Sequence, residues 1–133
     1  MDEKILIVDD AAFMRMMLKN TLTSINCNNI IEACDGEVAC TMYDEEHPDL
    51  VIMDITMPNK TGIEALRDIK LKYNDAKVVI CSAMGQESMV VEAIKLGALD
   101  FIVKPFKPER IIQTVKKILG WYSIYTDMLK SAG

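Results

Sequence analysis

Short unbroken apolar runs alternate along this chain with longer stretches in which apolar residues recur at every third or fourth position. The runs predict strands at 4–8, 29–33, 49–53, 77–81 and 99–103, and the longer period predicts helices between them. A first helix over 12–25 carries Met14, Met17, Leu18, Leu22 and Ile25. A second starts near Gly36 with Val38, Ala39, Met42 and Tyr43, and stops before His47-Pro48, because a residue ahead of proline avoids helical geometry. After a loop at 57–62, Ile63, Leu66, Ile69 and Tyr73 form a third stripe. The fourth helix, 86–96, places Val90, Val91 and Ile94 inward, with Gly97 as its C-terminal cap. The fifth begins at Pro108 and continues through Ile111, Ile112, Val115, Ile118 and Leu119. This alternation marks a parallel sheet with helices on both faces, so the predicted fold is α/β, a doubly wound five-stranded sheet.

The polar residues that end these runs are few and similarly placed. Asp9 with Asp10, Asp54, Ser82 and Lys104 each follow an apolar run directly. Each has an ordinary structural explanation: Asp10 as a helix N-cap, Asp54 as a turn residue, Ser82 bonded to its own backbone, Lys104 solvated. Their joint placement at four strand ends weighs against those explanations, because an open parallel sheet aims the carboxyl ends of its strands at one crevice. Carboxylates gathered there repel one another and raise their own pKa values unless a cation compensates. Mg²⁺ suits the place, since it takes oxygen ligands, keeps several waters and accepts a phosphate oxygen. With Lys104 as a second positive charge, the crevice is built for a phosphoryl group and a carboxylate nucleophile.

Composition narrows the picture. At 133 residues the chain fits one domain. A net charge of -5, with both signs interspersed, argues against a nucleic-acid surface. The start Met1-Asp2-Glu3-Lys4 is charged and the apolar run behind it short, so neither a signal peptide nor a membrane span is expected, and the expected location is cytoplasmic. Cys27, Cys34, Cys40 and Cys81 form no C-x-x-C pair and His47 is the only histidine, which argues against zinc and for reduced, mostly buried thiols. The ten methionines fall largely at helical spacing and read as an adaptable core.

The motifs Val8-Asp9-Asp10 with Phe13-Met14-Arg15, Met53-Asp54-Ile55-Thr56-Met57-Pro58 with Gly62, Cys81-Ser82-Ala83-Met84, Gly97-Ala98 with Asp100-Phe101, and Val103-Lys104-Pro105-Phe106 resemble the receiver domains of two-component response regulators, above all the stand-alone CheY-like chemotaxis group. The resemblance spans about residues 4–119. It implies a flavodoxin-like strand order of 2-1-3-4-5, an order carried over with the family. It implies Asp54 as phosphoacceptor, with Asp10, Asp54 and the Thr56 carbonyl as Mg²⁺ ligands and Asp9 acting through a metal-bound water. Lys104 and Ala83 resemble the family's phosphoryl-binding positions, Ser82 its switch hydroxyl and Phe101 its switch aromatic, and Pro105 follows a cis bond in that family. Thr56 and Met84 occupy places that tune the attacking water.

These implications assign residues 1–120 to a receiver domain and 121–133 to a C-terminal tail, whose Trp121, Tyr122, Ile124, Tyr125, Met128 and Leu129 predict a helical extension. Phe101 lacks the phenol hydroxyl found in many relatives, so contact there relies on packing. With no output domain expected, the chain reads as a diffusible messenger. The implied partners are a histidine kinase of the chemotaxis kind, a downstream target such as the flagellar motor switch, and a phosphatase. Service in a non-chemotaxis phosphorelay is the alternative. An aspartyl-phosphate phosphatase is disfavoured, because Thr56 stands where such sites need a second acid. A flavin or nucleotide carrier is disfavoured by the absence of G-x-G-x-x-G and G-x-x-x-x-G-K-[ST].

Overall fold

Four consecutive apolar residues in an extended run have side chains on both faces, so they bury fully only in a sheet covered on both sides. The computed structural model, which describes residues 2–120, meets that requirement. Its elements are β1 (Ile5–Val8), α1 (Ala12–Thr23), β2 (Ile30–Ala33), α2 (Gly36–Glu46), β3 (Leu50–Asp54), α3 (Gly62–Lys72), β4 (Val78–Ala83), α4 (Glu87–Lys95), β5 (Asp100–Lys104) and α5 (Pro108–Ile118). The strands form one parallel sheet in the order β2-β1-β3-β4-β5. The expected tail at 121–133 lies outside the described residues.

Period-two alternation divides the strands between two cores. Leu6, Val8, Val51, Met53, Val78 and Ile80 face α2, α3 and α4, where they meet Ala39, Tyr43, Leu66, Ile69 and Ala93. Ile5, Ile7, Leu50, Ile52, Val79 and Cys81 face the other way, onto Leu18 and Leu22 of α1 and Ile111 and Val115 of α5. Helices α2 and α3 start where side chains cap them. Asp35 accepts from the Val38 N–H at 2.9 Å, and Thr61 forms a capping box with Glu64. His47 ends α2 in the left-handed region, at φ 46°, directly before Pro48. Gly97, at φ 110°, follows α4 as the sequence predicted.

Three expectations need correction. The strand ends reach one or two residues further than the apolar runs: β3 includes Asp54, β4 includes Ser82 and Ala83, and β5 includes Lys104. Backbone pairing to a neighbour continues past the last apolar side chain, which hydropathy does not register. On α4, Val91 and Ile94 are exposed and Ala93 alone is buried, because that helix meets the sheet through Ala93, Met89, Val90 and Leu96. The described methionines divide: Met53 and Met57 are buried and Met42 and Met89 pack against the core, while Met16, Met17 and Met84 lie exposed. Of the thiols, Cys27 and Cys81 are buried and Cys34 is exposed.

The loop between β3 and α3 is drawn tightly against the strand ends. The Gly62 N–H donates to the Ile55 carbonyl at 2.8 Å, and a Cβ at Gly62 would stand 2.0 Å from the Asp54 carbonyl oxygen. No side chain fits there without moving backbone. Gly62→Ala is therefore expected to lower stability by about 1–3 kcal/mol, the usual scale for overpacking. Urea denaturation checks this, and a midpoint equal to that of the parent chain would contradict the assignment.

Candidate functional site

Because all five strands are parallel, their carboxyl ends lie on one edge, and the polar residues that close them meet there. Asp9, 2% exposed, accepts from the Ala11 N–H at 2.9 Å through Oδ1 and from Lys104 Nζ at 2.9 Å through Oδ2. Asp54, 9% exposed, places Oδ2 3.2 Å from the same ammonium. Asp10 stands exposed at the rim, and ligand atoms of Asp9, Asp10 and Asp54 lie within 4.8 Å of one another. The N-cap reading of Asp10 does not hold, since Ala11 is the cap and no side chain bonds there.

Burial raises the Asp54 pKa above its ordinary value; Lys104 pulls it down, the Asp9 charge pushes it up, and a backbone hydrogen bond from Thr56 lowers it. Burial works against the Lys104 ammonium, yet its hydrogen bond to Asp9 and the charges of Asp54 and Asp9 hold its pKa above the ordinary value. Of the three clustered carboxylates, Asp9 and Asp54 thus share one contacting ammonium. Such a set of hard oxygen donors with surplus negative charge fits a divalent cation such as Mg²⁺. Cys81, paired in register with Asp54, has its thiol pushed up to about 12 by burial and is inert as a nucleophile.

Ser82 is 1% exposed and its Oγ has no hydrogen-bond partner, so it does not bond its own backbone. Unsatisfied buried hydroxyls are uncommon and costly. It lines a groove of about 650 Å³ between α4 and β5, together with Met84, Val90, Val91, Ile94 and Phe101. Phe101 is 39% exposed, and its carbonyl accepts from Arg110 Nη2 at 2.8 Å. Pro105 follows a cis bond from Lys104. Thr56 is exposed and Met84 is 80% exposed.

Residues 5–116 match the response regulator receiver domain. The chain belongs to this family. The receiver domain is 52% identical over 118 residues to "Chemotaxis protein CheY" of Thermotoga maritima, covering 89% of this chain and 98% of that protein. It is 52% identical over 120 residues to "Chemotaxis protein CheY" of Bacillus subtilis, covering 90% and 100%. The receiver domain of NtrX from Brucella abortus superposes with a TM-score of 0.82 at 33% identity, over 88% of this chain and 98% of that one. As a receiver domain, this chain is a phosphorylation-activated signalling unit, and the fold expected from the sequence is the fold found. Among the described residues, no helix is long and apolar enough to cross a membrane.

Two parts of the site escaped the sequence reading. Arg15 donates to the Asp9 carbonyl at 2.7 Å and pairs with Glu32 at 3.2 Å, tying α1 to the ends of β1 and β2. Gln86 accepts from the Ala83 N–H at 2.7 Å and donates to Thr56 Oγ1 at 2.8 Å. Both are long polar side chains reaching across loops, and neither sits at a strand end where the hydropathy pattern points.

A raised Asp54 pKa means that the folded receiver holds this proton more tightly than the unfolded chain does. Stability therefore falls as pH rises from the ordinary value of 3.8 through the raised folded value. Asp54→Asn removes that cost and is expected to stabilise the receiver at neutral pH. The gain should shrink as the medium is acidified toward 3.8. Denaturant melts of both proteins across that pH range check the sign, and a variant less stable at neutral pH would refute it.

Proposed function

We propose that this receiver is a stand-alone response regulator that takes a phosphoryl group onto Asp54 from a histidine kinase and, so modified, binds a downstream partner. One observation carries the reading. Asp54 is a buried carboxylate at the tip of the central strand, close to the Asp9 and Asp10 carboxylates and touched by the Lys104 ammonium. In the transfer, an Asp54 oxygen bonds to phosphorus as the phosphorus–nitrogen bond of a phosphohistidine breaks, and that bond's electron pair stays with the imidazole. Lys104 stands ready to neutralise a phosphoryl oxygen. Asp10, Asp54 and the Thr56 carbonyl would hold Mg²⁺, with Asp9 acting through a bound water; the ion supplies charge that lets an anionic donor approach an anionic acceptor.

Ser82 supports a switch, because its unpartnered hydroxyl gains a hydrogen bond by turning toward a phosphoryl oxygen. Ala83 adds a backbone donor beside it. Phe101 then swings inward along the groove that joins it to Ser82, and the altered α4–β5–α5 face is what a partner reads. Two relatives covered nearly end to end carry the name chemotaxis protein. On that ground we assign a cytoplasmic chemotaxis kinase as phosphodonor, the flagellar motor switch as target and a phosphatase as terminator, with hydrolysis returning Asp54 to its carboxylate.

Acetyl phosphate with Mg²⁺ tests the chemistry. The intact chain is expected to gain the mass of one phosphoryl group and Asp54→Asn to gain none; an unchanged mass for the parent chain under conditions that preserve acyl phosphates would overturn the proposal. Ser82→Ala separates transfer from signalling. It is expected to keep the mass gain but lower the phosphorylation-dependent increase in partner affinity by about fivefold or more, the ordinary range of a coupling energy. Full coupling in that variant, measured against the purified partner, would remove Ser82 from the switch.

A further inference from the structure

We propose that Gln86 is a positioning residue that holds the receiver at rest, by occupying a backbone donor that a phosphoryl group on Asp54 must engage. The inference rests on the function proposed above and extends it to a residue outside the reacting set.

The geometry follows from the ladder. In a parallel strand the N–H and C=O of one residue point to the same neighbour, and successive residues alternate between neighbours. The Cys81 carbonyl accepts from the Ile55 N–H at 3.0 Å, so Cys81 points toward β3 and Ser82 toward β5. Ala83 points again to the β3 side. There the ladder has ended: the Ile55 carbonyl that would continue it is taken by the Gly62 N–H at 2.8 Å. The Ala83 N–H is left aimed at the space over the end of β3, where Asp54 stands, with no strand partner. Gln86 fills the gap, its Oε1 2.7 Å from the Ala83 nitrogen and its Nε2 2.8 Å from Thr56 Oγ1.

This use of the side chain is unusual for its position. Gln86 is the N-cap residue of α4, yet its side chain makes no capping bond to that helix. The turn through Met84 and Gly85, the latter at φ 89°, folds the carboxamide back over the strand ends. One amide hydrogen serves one strong acceptor at a time, so a phosphoryl oxygen claiming Ala83 displaces Gln86. The bridge to Thr56 then loses one of its two anchors, and the start of α4 is freed at the moment of modification. Gln86 thereby couples occupancy of Asp54 to the helix whose outer face carries Val91 and Ile94.

Beryllofluoride with Mg²⁺, which imitates a phosphoryl group on a carboxylate, gives a direct readout by titration calorimetry. Gln86→Met keeps the length and removes both hydrogen bonds. It is expected to bind beryllofluoride about two- to tenfold more tightly, the scale of one exposed hydrogen bond, with affinity for Mg²⁺ alone unchanged. Hydrogen exchange at the Ala83 amide should quicken in the unliganded variant as its acceptor is lost, and the gain in beryllofluoride affinity is the readout that a merely structural role would not produce. Gln86→Ala should behave alike, and denaturant melts of both confirm folding. Unchanged or weaker beryllofluoride binding overturns the proposal, as does an equal gain for Mg²⁺ alone. If the parent chain itself binds no beryllofluoride, the phosphoacceptor reading fails instead, and this inference with it.

Discussion

The structure depends on one ammonium. Lys104 stands 2.9 Å from Asp9 and 3.2 Å from Asp54, at the edge of a sheet whose interior strands are apolar on both faces. Two buried carboxylates in such a place repel each other and lose hydration, and neither cost is small in a medium of low polarity. Lys104 offsets part of it from the end of β5, the strand two places away from β3. The β5 edge is thus held to the site by charge as well as by its ladder to β4. The compensation is incomplete, which is why burial still keeps the Asp54 pKa high. A receiver whose site were fully neutral at rest would have little to gain from an incoming cation.

The same edge shows how far a sequence pattern carries. Strand and helix order, the two-faced sheet and the roles of Asp9, Asp54, Ser82 and Lys104 as strand-end groups were legible, because a polar residue closing an apolar run is a local signal. The outward face of α4 was not, since Val91 and Ile94 sit at helical spacing and only the position of the sheet decides which side is covered. Methionine spacing misled for the same reason: Met16 and Met17 lie on an amphipathic helix but on its open side. The contacts of Gln86 and Arg15 left no trace in the pattern, because a long side chain's hydrogen-bond partner depends on loop geometry. The chemical roles of the strand-end groups came from the resemblance, which periodicity alone does not supply.

The helices are not held equally, and the inequality falls where the switch needs it. Helix α3 buries Ile63, Ala65, Leu66 and Ile69 and is pinned at its start by the capping box and by the close approach of Gly62 to Asp54. It is a fixed wall of the site. Helix α4 buries Ala93 alone, starts without a side-chain cap, and borders the groove that runs from Ser82 to Phe101. Elements with few buried apolar side chains occupy the low end of local stability and change packing at least cost. In the proposed function, a phosphoryl group on the rigid side would therefore be expressed on the yielding side.

Phe101 sharpens this point. A tyrosine in its place would lose a hydrated hydroxyl on turning inward and would have to find it a partner there. Phenylalanine carries no such requirement, so in the proposed switch the balance between an exposed and a buried ring would be set by apolar area and by the volume available along the groove. That groove is lined by Ser82 as well, whose buried Oγ has no hydrogen-bond partner. In the proposed switch the hydroxyl, on turning toward a phosphoryl oxygen, would satisfy its own hydrogen bond and vacate space that an apolar ring could fill without further cost. On the function proposed here, the polar defect and the exposed ring would be two halves of one imbalance that a single new anion at Asp54 corrects.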